Sequence, residues 1–228
     1  MSVLTVRSLC KKFDTRPVLN GISFCVEQGQ IVAILGRNGQ GKSTIFKIIM
    51  DFIKADKGEV VLFENAPSGR EKVGYLHENP VFWDDLSPRE ILTGLSGLSE
   101  RLALDRIMEM VDLVGLKEAA DLPVRKFSHG MKQRLGIAQA LIGNPELLIL
   151  DEPLTGLDPG GRIRFRQILS EFKQNGHSVL FSSHELSDVR ETADRVIVVN
   201  NGSVVQDIPV SQVTDLERFY LDNSGDVL

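Results

Sequence analysis

Cysteine is scarce in this chain of 228 residues, which has only Cys10 and Cys25. Neither sits in a CxxC or zinc-ligand spacing, so a disulfide framework is excluded and reduced, buried or half-buried thiols are expected. Long apolar runs are missing as well. Those at Ile31–Leu35, Leu147–Leu150 and Val196–Val199 fall far short of the roughly 20 residues that cross a bilayer as a helix. The start, Met1-Ser2-Val3-Leu4-Thr5-Val6-Arg7, lacks the charged, apolar and small-residue regions of a signal peptide, so a cytoplasmic location is expected. A basic excess is absent too: 26 Lys and Arg face 31 Asp and Glu, a net charge of -5, which argues against a nucleic-acid partner. There is no internal repeat and no low-complexity tract. What remains, 42% hydrophobic and 25% charged residues, is ordinary globular composition, and the length suits one domain carrying a subdomain.

The most informative stretch is Gly36-Arg37-Asn38-Gly39-Gln40-Gly41-Lys42-Ser43-Thr44. It fits G-x-x-x-x-G-K-[ST] and lies between an apolar run, Ile31–Leu35, that reads as a buried strand and a segment, Ile45–Met50, that reads as a helix. Glycines let backbone N–H groups converge on phosphate oxygens at a helix start, whose partial positive charge favours an anion. Lys42 is placed to reach the β- and γ-phosphates, and the Ser43 hydroxyl to occupy one corner of a magnesium shell. A glycine-rich turn that binds nothing would not need this flanking strand and helix.

Around that loop the chain predicts an α/β fold. Val3–Val6 and Val18–Val26, the latter around Asn20-Gly21, read as short strands of a small antiparallel sheet. Between them Phe13 precedes the polar turn Asp14-Thr15-Arg16-Pro17, where it either stacks on an adenine or packs the hairpin. Asp56-Lys57-Gly58 reads as a turn, Glu59–Phe63 and Val73–Leu76 as strands, and Ser87-Pro88 as a helix start. Leu104, Ile107, Met108, Val111 and Val114 recur at helical spacing and predict one buried face. Residues 81–141 therefore form a helical insertion, with 1–80 and 142–228 as the α/β core and 222–228 as a polar, fraying tail.

Ser128 is placed to cap the next helix, with Met131, Leu135, Ala138 and Ile142 as its apolar stripe. Taken alone this is an ordinary capped helix, although its free N–H groups also make an anion site. Leu147–Leu150 reads as a strand covered on both faces, and it ends in Asp151-Glu152, at the sheet edge where ligands bind. Asp151 suits the surroundings of a magnesium ion, and Glu152, pointing further out, suits activation of a water. Pro159 opens a helix with Phe165, Ile168, Leu169 and Phe172 on one face. Ser178–Ser183 is another buried strand, closed by His184, which is able to donate to a phosphate oxygen. Glu185–Ala193 reads as a short helix, Arg195–Val199 and Ser203–Val205 as a hairpin, and Ser211–Tyr220 as a final helix.

In this order the motifs resemble the nucleotide-binding subunit of ATP-binding cassette (ABC) transporters over nearly the whole chain. The resemblance implies a P-loop NTPase core of RecA-like type, with a small antiparallel β subdomain and an inserted helical subdomain. It places Phe13 at the adenine-stacking loop, Glu78 at the Q-loop, Ser128 to Gln133 with Gly130 at the signature, Leu147 to Glu152 as Walker B, Asp158 in the D-loop and His184 as the switch histidine. It further implies ATP and Mg²⁺, with Ser43, Glu78 and Asp151 at the metal. Two copies would close head to tail, most simply as a homodimer, on the inner face of the membrane against transmembrane permease subunits. Glu78 stands where Gln is usual, and Ser128-His129-Gly130-Met131 where Ser-Gly-Gly-Gln is common. Both departures are similar to the exporter branch called ABC-2, including subunits for multidrug export, gliding motility and copper-site maturation of nitrous oxide reductase. A soluble cassette ATPase working on nucleic acid or ribosomes is the competing expectation, weakened because this chain has one cassette and no heptads.

Overall fold

The computed structural model describes residues 1–64, 69–97 and 102–224. The chain opens as a hairpin of two 12-residue strands, β1 (Ser2–Phe13) and β2 (Arg16–Glu27). With β4 (Lys57–Leu62) they form an antiparallel sheet in the order β2-β1-β4. A second sheet of six strands has the order β5-β6-β7-β3-β8-β9. In it β3 (Ile31–Leu35), β5 (Val73–Leu76), β6 (Leu147–Leu150), β7 (Ser178–Ser183) and β8 (Arg195–Asn200) pair in parallel, and β9 (Ser203–Pro209) closes the edge antiparallel.

Side chains alternate across a strand, so the continuous apolar strands feed two cores at once. Ile31, Ala33 and Leu35 pack on one face of the sheet, while Val32 and Ile34 pack on the other. The second face is covered by helix α1 (Lys42–Ile49) and by the antiparallel sheet. The first is shared with α2 (Pro88–Ser96), α3 (Leu104–Leu113) and α4 (His129–Leu141), which the chain inserts between β5 and β6, and with α5 (Pro159–Gln174), α6 (Leu186–Thr192) and α7 (Leu216–Ser224). Among the described residues no helix is long and apolar enough to cross a membrane.

Several local expectations need correction. The hairpin strands are longer than the short ones expected: β1 runs to Phe13 and β2 runs unbroken through Asn20-Gly21 with a register shift against β1, while the reversal falls at Asp14-Thr15, within the expected polar turn. Lys57-Gly58 lies inside β4 rather than in a turn. In α3 the buried face is Ile107, Met110 and Val111, whereas Leu104, at the helix start, is 51% exposed. Helix α4 buries residues almost all round, because β5 and the other inserted helices enclose it. The C-terminal helix starts at Leu216, after a 3₁₀ turn at Val210–Gln212. Helix α7 continues through Asp222 to Ser224, past the start of the expected tail, whose residues 225–228 lie outside the described ones.

Candidate active site

The glycine loop leaves the C-terminal end of β3 and enters α1 directly. Gly41 forms the helix cap at φ 99°, and a Cβ there would meet Leu19 Cδ2 at 2.6 Å. Only glycine suits that combination. The loop is clipped from the far side, since Gln40 Oε1 accepts from Asn201 N–H at 2.5 Å, in the turn between β8 and β9. Lys42, 5% exposed, donates from Nζ to Gly36 O at 2.6 Å and to Arg37 O at 3.2 Å, and lies 3.3 Å from Glu152 Oε1. A buried ammonium is tolerable only with such partners. A cleft of about 250 Å³ opens over this loop; Arg37, Asn38, Gly39, Gly41, Lys42, Ser43, Thr44, Glu78 and Glu152 line it together with Val18.

At the end of β6 the two carboxylates divide. Asp151 is fully buried; Ser182 Oγ donates to its Oδ1 at 2.7 Å, while its Oδ2 is buried without a partner. Glu152 has a left-handed backbone, φ 48°, that costs a non-glycine residue about 1–2 kcal/mol. Its N–H donates to the same Ser182 hydroxyl at 2.8 Å, and its carboxylate Oε2 lies 2.8 Å from His184 Nδ1. Glu152 does not point outward, as its position beyond Asp151 had suggested: its side chain is 8% exposed and sits between Lys42 and His184. Ser182 organises both carboxylates, yet little in the sequence marks it. Its only signal is a hydroxyl inside an apolar strand, two residues before His184.

The remaining expected residues lie elsewhere. Ser128 caps α4, its Oγ accepting from Met131 N–H at 3.2 Å. Gly130 lies so close to the turn after Glu152 that a Cβ would meet Gly156 O at 2.6 Å. Asp158 caps α5, accepting from Gly161 N–H at 3.1 Å, and pairs with Arg134 of α4. The Arg134 hydrogen bond holds the Asp158 carboxyl below the usual range. None of these three lines the phosphate-loop cleft. Phe13 is 46% exposed at the end of β1, where it pairs with Arg16 across the hairpin and has Lys11 Nζ 5.5 Å from its ring centre. A larger cavity of about 300 Å³, between α3 and α5, opens near the starts of β6 and β7, the edge opposite to the one where α/β sheets bind ligands.

A glycine loop between strand and helix, a buried lysine and paired carboxylates on the next parallel strand but one define a P-loop nucleotide hydrolase. A family model described as ABC transporter matches residues 19–155, more than half of the chain. The chain is 35% identical over 223 residues to the lantibiotic transport ATP-binding protein SrtF of Streptococcus pyogenes, covering 96% of each. It is 34% identical to the bacitracin transport ATP-binding protein BcrA of Bacillus licheniformis, over 97% of this chain and 74% of that one. A solved structure described as an ATP-binding subunit of an ABC transporter superposes with a TM-score of 0.82 at 28% identity, covering 98% and 95%. The chain belongs to the ABC transporter family, as one of its ATP-binding, ATP-hydrolysing subunits.

Proposed function

We propose that this subunit drives a membrane exporter of the ABC-2 type by closing head to tail with a second copy of itself around ATP and Mg²⁺. The observation that carries this is a division of the expected nucleotide contacts. Lys42 and Glu152 line the phosphate-loop cleft, with His184 behind them 2.8 Å from the Glu152 carboxylate, whereas Ser128, Gly130 and Asp158 cluster at the N-terminal ends of α4 and α5, outside it. An anion held by one copy's loop can be capped by the other copy's α4 end, which offers backbone N–H groups and the Ser128 hydroxyl.

The protein groups suit a magnesium ion: Ser43 and Glu78 line the cleft, and the orphaned Asp151 Oδ2 is an oxygen awaiting a hydrogen bond from outside the chain, as a metal-bound water supplies. Bound there, the ion would neutralise phosphate charge. Within the chain, the loop amides and Lys42 hold the phosphates, while Glu152 accepts a proton from the attacking water. His184, with Nδ1–H donating to Glu152, orients that carboxylate; it donates from Nε2 to a phosphate at the same time only as imidazolium. The names of the lantibiotic and bacitracin relatives support the transport reading, and Glu78 with Gly130-Met131-Lys132 supports its export branch.

The test is Glu152→Gln with ATP and Mg²⁺. Turnover should fall by about 10²–10⁴-fold, as expected for loss of a general base, while ATP stays bound and light scattering reports a dimer. Undiminished hydrolysis would remove Glu152 as the base, and a monomer under these conditions would remove the dimer. Lys42→Ala should lose nucleotide binding in titration.

A further inference from the structure

Glu152 holds a backbone conformation that must be imposed by its neighbours. Its N–H is fixed by Ser182 of β7, and its carboxylate by His184 and Lys42. Its carbonyl accepts twice. Thr155 N–H closes the local turn at 3.2 Å, and the Gln133 amide nitrogen arrives from α4, also at 3.2 Å. Gln133 is fully buried, and its Oε1 has no partner, so a polar side chain is kept in the interior for one donated hydrogen bond. Such a group costs stability, and an apolar residue of the same length would fill the space.

Around this bond α4 and the segment after Glu152 are locked together. The His129 ring lies against Gly156, Gly130 abuts Gly156 O, and Arg134 pairs with Asp158. The helix turn carrying Ser128 therefore cannot shift without moving the backbone that sets Glu152.

We propose that Gln133 is a positioning residue, tying the seating of this chain's α4 end to the readiness of its own Glu152. This rests on the head-to-tail reading above, in which that α4 end caps the partner's nucleotide. Each copy's α4 then reports occupancy of one site to the general base of the other.

The experiment is Gln133→Met in the full chain, measuring melting temperature, ATP affinity, kcat, KM and the Hill coefficient, beside Glu152→Gln and the double variant Gln133→Met/Glu152→Gln in ATP and Mg²⁺. Gln133→Met should leave the melting temperature and KM unchanged, lower kcat about tenfold or more and bring the Hill coefficient towards one. The double variant should dimerise as Glu152→Gln does. A kcat within twofold of the parent overturns the proposal, as does a kcat loss matched by a rise in KM or a drop in melting temperature, which marks a structural role. If Glu152→Gln itself stays monomeric, the head-to-tail reading fails and the inter-site link with it.

Discussion

Phe13 shows what the expected adenine contact would ask of a single side chain. An aromatic ring left half exposed at a strand end, beside the Lys11 ammonium, gains little from the fold. Stacking on a flat base would bury it, and such stacking is worth about 1–3 kcal/mol per base by alanine substitution. Phe13→Ala should therefore weaken ATP binding about tenfold in calorimetric titration, while tripolyphosphate, which has no base, binds unchanged; equal loss for both ligands would show the ring acts on the loop rather than on adenine. At this scale the sequence made the glycine loop, Asp151, Glu152 and His184 legible, because each terminates an apolar strand. It did not reveal that Glu152 is buried, nor the parts of Ser182 and Gln133. A hydroxyl in a strand and an amide on a helix acquire a role only through partners 30 and 19 residues away.

Among the elements, the start of α5 and the segment carrying His184 are joined by one arginine. Arg162 donates a fork to Glu185, at 2.5 and 3.0 Å, and also reaches both oxygens of the buried Asp188. Its hydrogen bond holds the Glu185 carboxyl below the usual range, whereas burial pushes the Asp188 carboxyl up, against the pull of Arg162 and Arg166. The signs oppose. Glu185, lowered, contributes stability that is present above its unfolded value and lost as pH falls through its folded value. Asp188, raised, costs stability as pH climbs above its unfolded value, and that cost grows if Arg162 is removed. Arg162→Met should thus lower the urea midpoint most at neutral pH, and the gap to the parent should narrow as pH falls below the carboxylate range; a gap independent of pH would assign the loss to packing alone. The α2 start is simpler. Ser87 and Glu90 form a reciprocal cap, with Ser87 N–H donating to Glu90 Oε2 at 2.9 Å, and Ser87→Ala should cost about 1 kcal/mol in chemical unfolding. That cap was legible because both partners lie within three residues of each other. The extent of β1 and β2, and the exposure of Leu104 on an α3 face otherwise buried as expected at Ile107, Val111 and Val114, were not, since they depend on β4 and on the helices packed around them.

For the molecule as a whole, the site and the surface that must feel it occupy neighbouring ground. Glu78 lines the phosphate-loop cleft, while Tyr75, Leu76 and His77 just before it, with Pro80 and Val81 just after, line a separate shallow groove of about 140 Å³ against Gly136 and Gln139 of α4. The Tyr75 ring meets Phe52 edge on, with centroids 5.4 Å apart. Phe52 is 60% exposed, Val81 90% and Trp83 63%. Val81 on this groove, Phe52 against Tyr75 and Trp83 two residues further on are exposed apolar side chains of the kind that mark an interaction surface, and a transmembrane partner docking here would do so in the manner of a helix laid in a groove. Because α4 forms one wall of the groove and carries Gln133 to Glu152, a partner seated there would touch the same helix that, on the head-to-tail reading proposed above, caps nucleotide. Truncating a central aromatic anchor typically costs about 2 kcal/mol or more, roughly 30-fold in affinity. Trp83→Ala and Val81→Asp, expressed in native cells, should move the chain from the membrane pellet to the supernatant while circular dichroism and ATP affinity stay as in the parent; continued sedimentation with membranes would place the permease contact on another face.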